Sequence, residues 1–313
     1  MNLHKNKQQF KEIVGAVAAE LNFEEFQIEK DYYVSLLLKQ LVEVSPEIVF
    51  KGGTSLSKCY DVINRFSEDI DINLYVEDKV GNQQKKKLKK DVIEAVTAVG
   101  FELLNDKINP PLETRSRRDF NKYLASYQRE FIGGIHMVDH IIVETNVTYR
   151  AFPCKIIPVS NYITKYLMNH DEEELIEKFN LEPFDMKVQT IDRTFIDKIF
   201  AICDYYEDGV YDRYSRHLYD IHMIWKSEFA ELEGLKKLIP EIIKIRKPGK
   251  NTHSCKPGYP LILSLNKILD KKVYKRDFET NTKEFLSKEA SYTEVEKSLK
   301  EIITSGLLPE IIE

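Results

Sequence analysis

Residues 69–74 read Asp-Ile-Asp-Ile-Asn-Leu, and few local structures accommodate that pattern. Side chains alternate faces along an extended chain, so Asp69, Asp71 and Asn73 share one side of a strand and Ile70, Ile72 and Leu74 the other. The apolar side has to lie on a core. The acidic side then presents two carboxylates about 7 Å apart along the strand. Neighbouring carboxylates repel and raise each other's pKa unless a cation sits between them. Either solvent hydrates them on an exposed edge, or they hold a hard divalent ion such as Mg²⁺, which binds through one or two carboxylates together with phosphate oxygens.

The preceding segment favours the second reading. Glu-Ile-Val-Phe-Lys-Gly-Gly at 47–53 is a short apolar strand closed by two glycines. Thr54 or Ser55 then caps a helix carrying Leu56, Tyr60 and Ile63. Glycines let a ligand approach the backbone, and a helix N-terminus offers unpaired N–H groups and partial positive charge to a phosphate. Ser55 adds a hydroxyl. Gly52-Gly53 before a helix is by itself most often a turn. Followed by an Asp-x-Asp strand it becomes a phosphate clamp beside a metal clamp, the pairing that phosphoryl or nucleotidyl transfer needs.

Further residues fit that chemistry. Glu144 interrupts the apolar strand His-Ile-Ile-Val-Glu-Thr-Asn-Val at 140–147 and is the candidate third carboxylate, with an acid at a strand edge as the alternative. Ile191, Phe195, Ile202 and Tyr205 form a helical stripe, and Lys198 falls in its gap. A lysine there either snorkels to solvent or meets an anion. Arg213, Arg216 and Asp220 fall at i, i+3 and i+7, with His217 beside Arg216, on a stripe opposite Leu218, Ile221 and Trp225. This is either an intrahelical salt-bridge ladder or a second wall of a site that orients Lys198 or a nucleotide.

The chain has 313 residues, 42% hydrophobic and 31% charged, enough for one large domain or two modest ones. No apolar run is long enough to span a bilayer, and the first residues lack the apolar core of a secretory signal, so a cytoplasmic protein without a membrane partner is expected. Four scattered cysteines make neither a CxxC zinc site nor a disulfide framework. The net charge of −5 gives no global basic field, although Lys-Lys-Lys-Leu-Lys-Lys at 85–90 and Ile-Arg-Lys-Pro-Gly-Lys at 245–250 are locally basic.

The order of elements is helical to about residue 45, then strand, helix, strand, a charged helix at 82–100 and two strands at 119–130 and 137–149 joined by a turn at Gly133-Gly134. Helices run from about 160 almost to the end, clearest near 190–207 and 213–227. An α/β (α+β) fold is expected, with a small mixed sheet flanked by helices over 1–159 and a mostly helical domain over 160–313.

Lys-Gly-Gly-Thr-Ser-Leu-Ser-Lys (51–58), Arg-Phe-Ser-Glu-Asp-Ile-Asp-Ile (65–72), Phe-Ile-Asp-Lys (195–198) and Ser-Arg-His-Leu-Tyr-Asp-Ile (215–221) resemble, in order, the four motifs of the AbiEii-type nucleotidyltransferase toxins, the toxin halves of AbiE abortive-infection (type IV) toxin–antitoxin systems. These are similar to the MenT toxins and belong among the DNA polymerase β-like nucleotidyltransferases. The resemblance runs from about residue 25, where Glu-Lys-Asp-Tyr-Tyr-Val-Ser-Leu-Leu (29–37) looks like the family's N-terminal helix, to 227. Residues 228–313 carry no matching motif.

The resemblance implies a nucleotidyltransferase core in which the C-terminal domain contributes Lys198 and Asp220, the essential lysine and aspartate, to the site. It implies catalysis by Asp69, Asp71, Lys198 and Asp220, nucleotide binding by Gly52, Gly53, Thr54, Ser55, Lys58 and Arg216, and Mg²⁺, or Mn²⁺ in its place, on Asp69, Asp71 and Glu144. Relatives bind an NTP, and some add nucleotides to the 3′ end of tRNA. The partners implied are an NTP, an RNA acceptor and an AbiEi-like antitoxin acting without a stable complex, in phage defence. Many members read Arg-Asp where this chain has Arg216-His217, which leaves Asp220 the only acid of that motif and puts nucleotide preference in doubt. Two other readings are a transferase acting on a protein or small-molecule hydroxyl and an NTP-binding module without turnover. The full set Asp69, Asp71, Lys198 and Asp220 favours an enzyme, because a degenerate module need not retain all four.

Overall fold

The computed structural model describes residues 1–77, 79–133, 138–229 and 232–313. It divides into two compact units, one of Met1–Cys59 with Phe66–Val188, the other of Tyr60–Arg65 with Gln189–Glu313.

The first unit is built on a seven-stranded mixed sheet. Its strands are β1 (Ile48–Lys51), β2 (Ile70–Leu74), β3 (Glu102–Leu103), β4 (Phe120–Ser126), β5 (Ile141–Asn146), β6 (Cys154–Val159) and β7 (Phe184–Gln189), in the order β3-β4-β5-β2-β1-β7-β6. The centre holds the strands that matter for function. β2 runs antiparallel to β1 and parallel to β5, and β1 runs parallel to β7. The alternation read from residues 69–74 is realised at 70–72, where buried Ile70 and Ile72 flank half-buried Asp71; Asn73 is buried as well, and the strand begins one residue after Asp69. The strands expected at 119–130 and 137–149 are β4 and β5, paired antiparallel; Gly134 of their expected turn lies outside the described residues.

The helices of this unit are α1 (Lys7–Leu21), α2 (Glu25–Val44), α3 (Gly52–Lys58), α4 (Asn82–Ala98), α5 (Tyr162–Asn169) and α6 (Glu173–Phe179). The unit continues past residue 159. α5 packs on α1 and α2, and β7 enters the sheet beside β1, so the division falls at 188/189. Phe184, Met186 and Val188 alternate with polar residues, the signature of a strand inside a stretch expected to be helical.

α2 is buried on nearly every side, its charged residues included. Glu29 accepts hydrogen bonds from the backbone N–H of Glu130 (2.7 Å) and Phe131 (3.2 Å). Lys30 donates to the Val138 carbonyl at 2.7 Å and pairs with Glu68. Asp31 pairs with Lys58 and accepts from the Tyr162 N–H at 2.8 Å. Buried ions persist only when paired and hydrogen-bonded in this way.

The second unit is helical: α7 (Ile191–Asp208), α8 (Ser215–Lys226), α9 (Leu232–Arg246), α10 (Leu261–Asp270), α11 (Lys275–Thr280) and α12 (Tyr292–Thr304). α7 packs against α8, α9 and α10, and α8 against α12. Gly209, at φ +68°, closes α7 in the left-handed conformation that glycine adopts without strain. Segment 60–65 joins this unit through an isolated bridge between Arg65 and Leu286, and the Asn64 carbonyl accepts from the Ser287 N–H at 3.0 Å. Among the described residues no helix is long and apolar enough to cross a membrane.

The Lys58–Asp31 pair yields a stability prediction. Lys58→Met leaves the Asp31 carboxylate buried without its cation and should cost about 3–5 kcal/mol, read from the urea midpoint. An unchanged midpoint would show that this pair does not hold α2 to α3.

Candidate active site

In the first unit the two expected clamps come together. β1 ends at Lys51 and α3 begins at Gly52, and Lys51 lies opposite Asp71 in the β1–β2 register. Gly52 has φ +79°, a conformation that side chains rarely adopt. A Cβ at this position would lie 2.1 Å from Asp71 Oδ2. The Asp71 carboxylate therefore rests directly against the glycine backbone, an approach only a residue without a side chain permits.

The hydroxyls next to this turn point inward. Ser55 Oγ is fully buried and donates to the Gly52 carbonyl at 2.8 Å, and Thr54 Oγ1 lies 2.9 Å from Ser67 Oγ. Both brace the turn from within. The surfaces left to a ligand are the half-buried backbone of Gly52 and Gly53 and the half-buried Asp69 and Asp71. Lys58 is 3% exposed. Its ammonium donates to the Asp31 carbonyl and carboxylate and to Ser35 Oγ. Burial lowers its pKa and the Asp31 charge opposes that. Three donors are thus engaged within the fold, and the nucleotide contact expected of Lys58 would have to break them.

Glu144 stands opposite Asp71 in the parallel β2–β5 register, and Lys122 opposite Glu144 in the β4–β5 register. Paired residues of adjacent strands project to the same face. Lys51, Asp71, Glu144 and Lys122 therefore form one charged row across four strands. Glu144 pairs with Lys122 at 2.8 Å, an ion pair that the metal expected of it would have to displace. Among the described residues no group of three or more His, Cys, Asp or Glu is placed to hold a metal ion. Asp71 on β2 and Asp69 just before it carry hard oxygen donors, a set suited to a divalent ion completed by phosphate oxygens.

In the second unit Asp220 is the hub. It is fully buried in α8. Arg65 reaches it with two hydrogen bonds, Nε to Oδ1 at 2.7 Å and an Nη to Oδ2 at 2.8 Å, and Lys198 Nζ lies 2.8 Å from Oδ2. Burial alone would raise the carboxyl's pKa, but the charges and hydrogen bonds of Arg65 and Lys198 outweigh it and hold it well below the usual range. Lys198 is itself lowered by burial, with Asp220 opposing. This is neither the exposed salt-bridge ladder nor the snorkelling lysine that the sequence left open. Two cations share one carboxylate, an excess of positive charge suited to an anion.

His217 sits beside them. Its Nδ1 lies 3.1 Å from Lys198 Nζ. Burial first, then the Lys198 and Arg216 charges, push its pKa well below the ordinary value, so it is a neutral acceptor at pH 7. Its ring lies nearly parallel to those of Tyr205 and Tyr214, 5.8 Å from each, and the two tyrosines stack at 3.5 Å. Arg216 is half-buried, and its charge acts on both Lys198 and His217. Arg213 precedes α8 with φ +70°, and its N–H donates to Asp277, so it is not part of the helical stripe expected of it.

Arg65 is the functional residue that sequence reasoning missed. It opens the second motif, yet nothing in its own segment names Asp220, 155 residues away, as its partner. The parallel rings were missed in part, since Tyr205 reads as one more apolar-stripe residue.

A strand–Gly-Gly–helix unit with an Asp-x-Asp strand against its glycine, on a mixed sheet, belongs to the nucleotidyltransferases. Residues 36–304 match the sequence model of the nucleotidyl transferase AbiEii toxin family of type IV toxin–antitoxin systems, and the chain belongs to that family. The match continues well past residue 227, where recognisable motifs end. In fold the chain is similar to MenT4, a nucleotidyltransferase toxin of Mycobacterium tuberculosis H37Rv, at 15% identity and a TM-score of 0.58 over 93% of this chain and 88% of that one. No curated protein matches the sequence.

The neutral His217 has a measurable consequence. In the unfolded chain a histidine binds a proton near pH 6.5, whereas in the fold it does so only far lower. Below pH 6.5 the unfolded state therefore holds more protons, and stability falls as pH drops. His217→Gln removes this loss. Between pH 6.5 and 5 its stability should fall less steeply than that of the wild type, by up to about 1.4 kcal/mol per pH unit. Parallel slopes in urea titrations at pH 5, 6 and 7 would contradict a neutral imidazole.

Proposed function

We propose that this chain transfers a nucleoside monophosphate from an NTP to an RNA acceptor, the 3′ end of a tRNA, in a Mg²⁺-dependent reaction. It would act in the cytoplasm as a growth-arresting toxin of phage defence, countered by an antitoxin that does not form a stable complex with it. One observation carries this reading: the Asp71 carboxylate lies against the Gly52 backbone, so an acid suited to a cation and a turn suited to phosphates share one place. Asp69 and Asp71 would hold the metal ion, which Mn²⁺ could replace through the same oxygen donors. Bound there, such an ion neutralises phosphate charge and orients the phosphorus for in-line attack.

The remaining roles follow from chemistry on the page. The Gly52 and Gly53 backbone approaches the phosphates, and Thr54 and Ser55 keep that turn in shape. Lys198 and Arg216 contribute positive charge to the triphosphate in the same reaction. Asp220 keeps Lys198 protonated against its burial and fixes its position, and Arg65 fixes Asp220. The family membership supports transfer, and the excess cation at the Asp220 hub supports an anionic substrate.

Incubation with each labelled NTP, Mg²⁺ and total RNA tests this beside Asp71→Ala. Wild type should label RNA with at least one NTP, and the variant should be slower by about 10³-fold or more, several kcal/mol of lost transition-state stabilisation. Wild type labelling no RNA with any NTP would sink the proposal. In cells, induced expression should slow growth and Lys198→Ala should relieve it; equal toxicity would separate the site from the phenotype.

A further inference from the structure

We infer that the basic surface formed by α4 and the 113–118 segment docks the phosphate backbone of the RNA acceptor. The inference rests on the transferase reading above and adds where a polynucleotide would lie on the first unit.

The charge of this chain is distributed unevenly. Residues 82–122 carry ten Lys and Arg against six Asp and Glu, in a chain of 46 against 51. The fold gathers the positive part. Lys89 Nζ donates to the Thr114 carbonyl at 2.7 Å, and Lys85 pairs with Asp119, which ties the lysine-rich first half of α4 to the arginine segment. Local acids answer some of the cations: Asp91 takes Lys87, and Glu113 takes Arg115 and, at 3.9 Å, Arg118. Lys86, Lys90 and Arg117 are exposed and form no ion pair among the described residues.

Lys86, Lys90 and Arg117 do the fold no such service. Lys85 and Lys89, and again Lys86 and Lys90, are like charges at i, i+4, which destabilises a helix. A glutamate at exposed position 86, four residues before Lys90, would turn that repulsion into a favourable pair. What the cluster suits is an external polyanion. Spaced cations beside arginine forks match a phosphate backbone, and Phe120, next to the segment and 44% exposed, offers a face on which a base can stack. An acidic protein would meet the same charge, but nucleotidyl transfer to RNA supplies a polynucleotide to bind.

The test measures binding of bulk deacylated tRNA to the full-length protein over a salt series, for wild type and the triple variant Lys86→Gln, Lys90→Gln, Arg117→Gln. Expected are at least a tenfold weaker affinity at low salt and a slope of log K against log salt smaller by about 2–3, for three lost phosphate contacts. KM for RNA should rise at unchanged kcat, and NTP affinity should be unchanged. Arg117→Glu alone, expected to weaken binding several-fold, serves if the triple variant melts early. Unchanged affinity and slope in both variants would overturn the inference. So would wild-type binding of poly-glutamate as tight as of tRNA, which would assign the surface to an acidic protein. Patch-dependent RNA binding with no labelling of RNA by any NTP would uphold the surface as an RNA-docking site and defeat the transferase reading, and with it the role of that RNA as acceptor.

Discussion

The first unit depends on three consecutive charges buried in α2. Glu29, Lys30 and Asp31 each reach a different part of the chain: the 130–131 backbone, Glu68, and Lys58 with Tyr162. Two of these links end beside functional residues. Lys58 closes the helix that opens with Gly52, and Glu68 immediately precedes Asp69. Buried ion pairs add little net stability compared with well-packed apolar residues, but they tolerate few alternative geometries. Apolar contacts could have held α2 in place at lower cost. Charged contacts fix which segment meets which, and here they set the turn and the acidic strand in register.

A parallel logic governs the second unit. One carboxylate, Asp220, is surrounded by Arg65 and Lys198, and the neutral His217 accepts from the same lysine without adding charge. The dry surroundings make each of these interactions stronger and the excess of cation harder to tolerate. An anion that approaches is therefore met by charge already in place, with no reorganisation needed. A neutral histidine at position 217 keeps that excess larger than a carboxylate there would.

Much of this was legible in the sequence where a local pattern encodes it. The alternation at 69–74 gives the strand and its faces, and the glycine pair gives the turn. What stayed hidden depends on long-range pairing. Glu29, Lys30 and Asp31 look like solvated residues of an amphipathic helix, because their partners lie 27 to 131 residues away. Lys58 reads as a phosphate ligand by its motif, and only the fold shows its donors engaged with Asp31 and Ser35. β7 was readable from its alternation, but helical stretches on both sides masked it. Arg65 could be noticed only through its motif, since a bidentate partner 155 residues away leaves no local trace.

Segment 60–65 lies between two pieces of the first unit in sequence and belongs to the second in space. This bears on how the chain emerges from the ribosome. Arg65 is made early, yet Asp220 and Leu286 follow it by 155 and 221 residues. The buried guanidinium has no carboxylate to meet until α8 has been synthesised, and closing so large a loop is an entropic cost met only then. The Asp220 hub is thus a late event of biosynthesis. A nascent chain stalled or truncated before α8 carries the acidic strand and the glycine turn but not the cation cluster, so the two halves of the chemistry are made at different times.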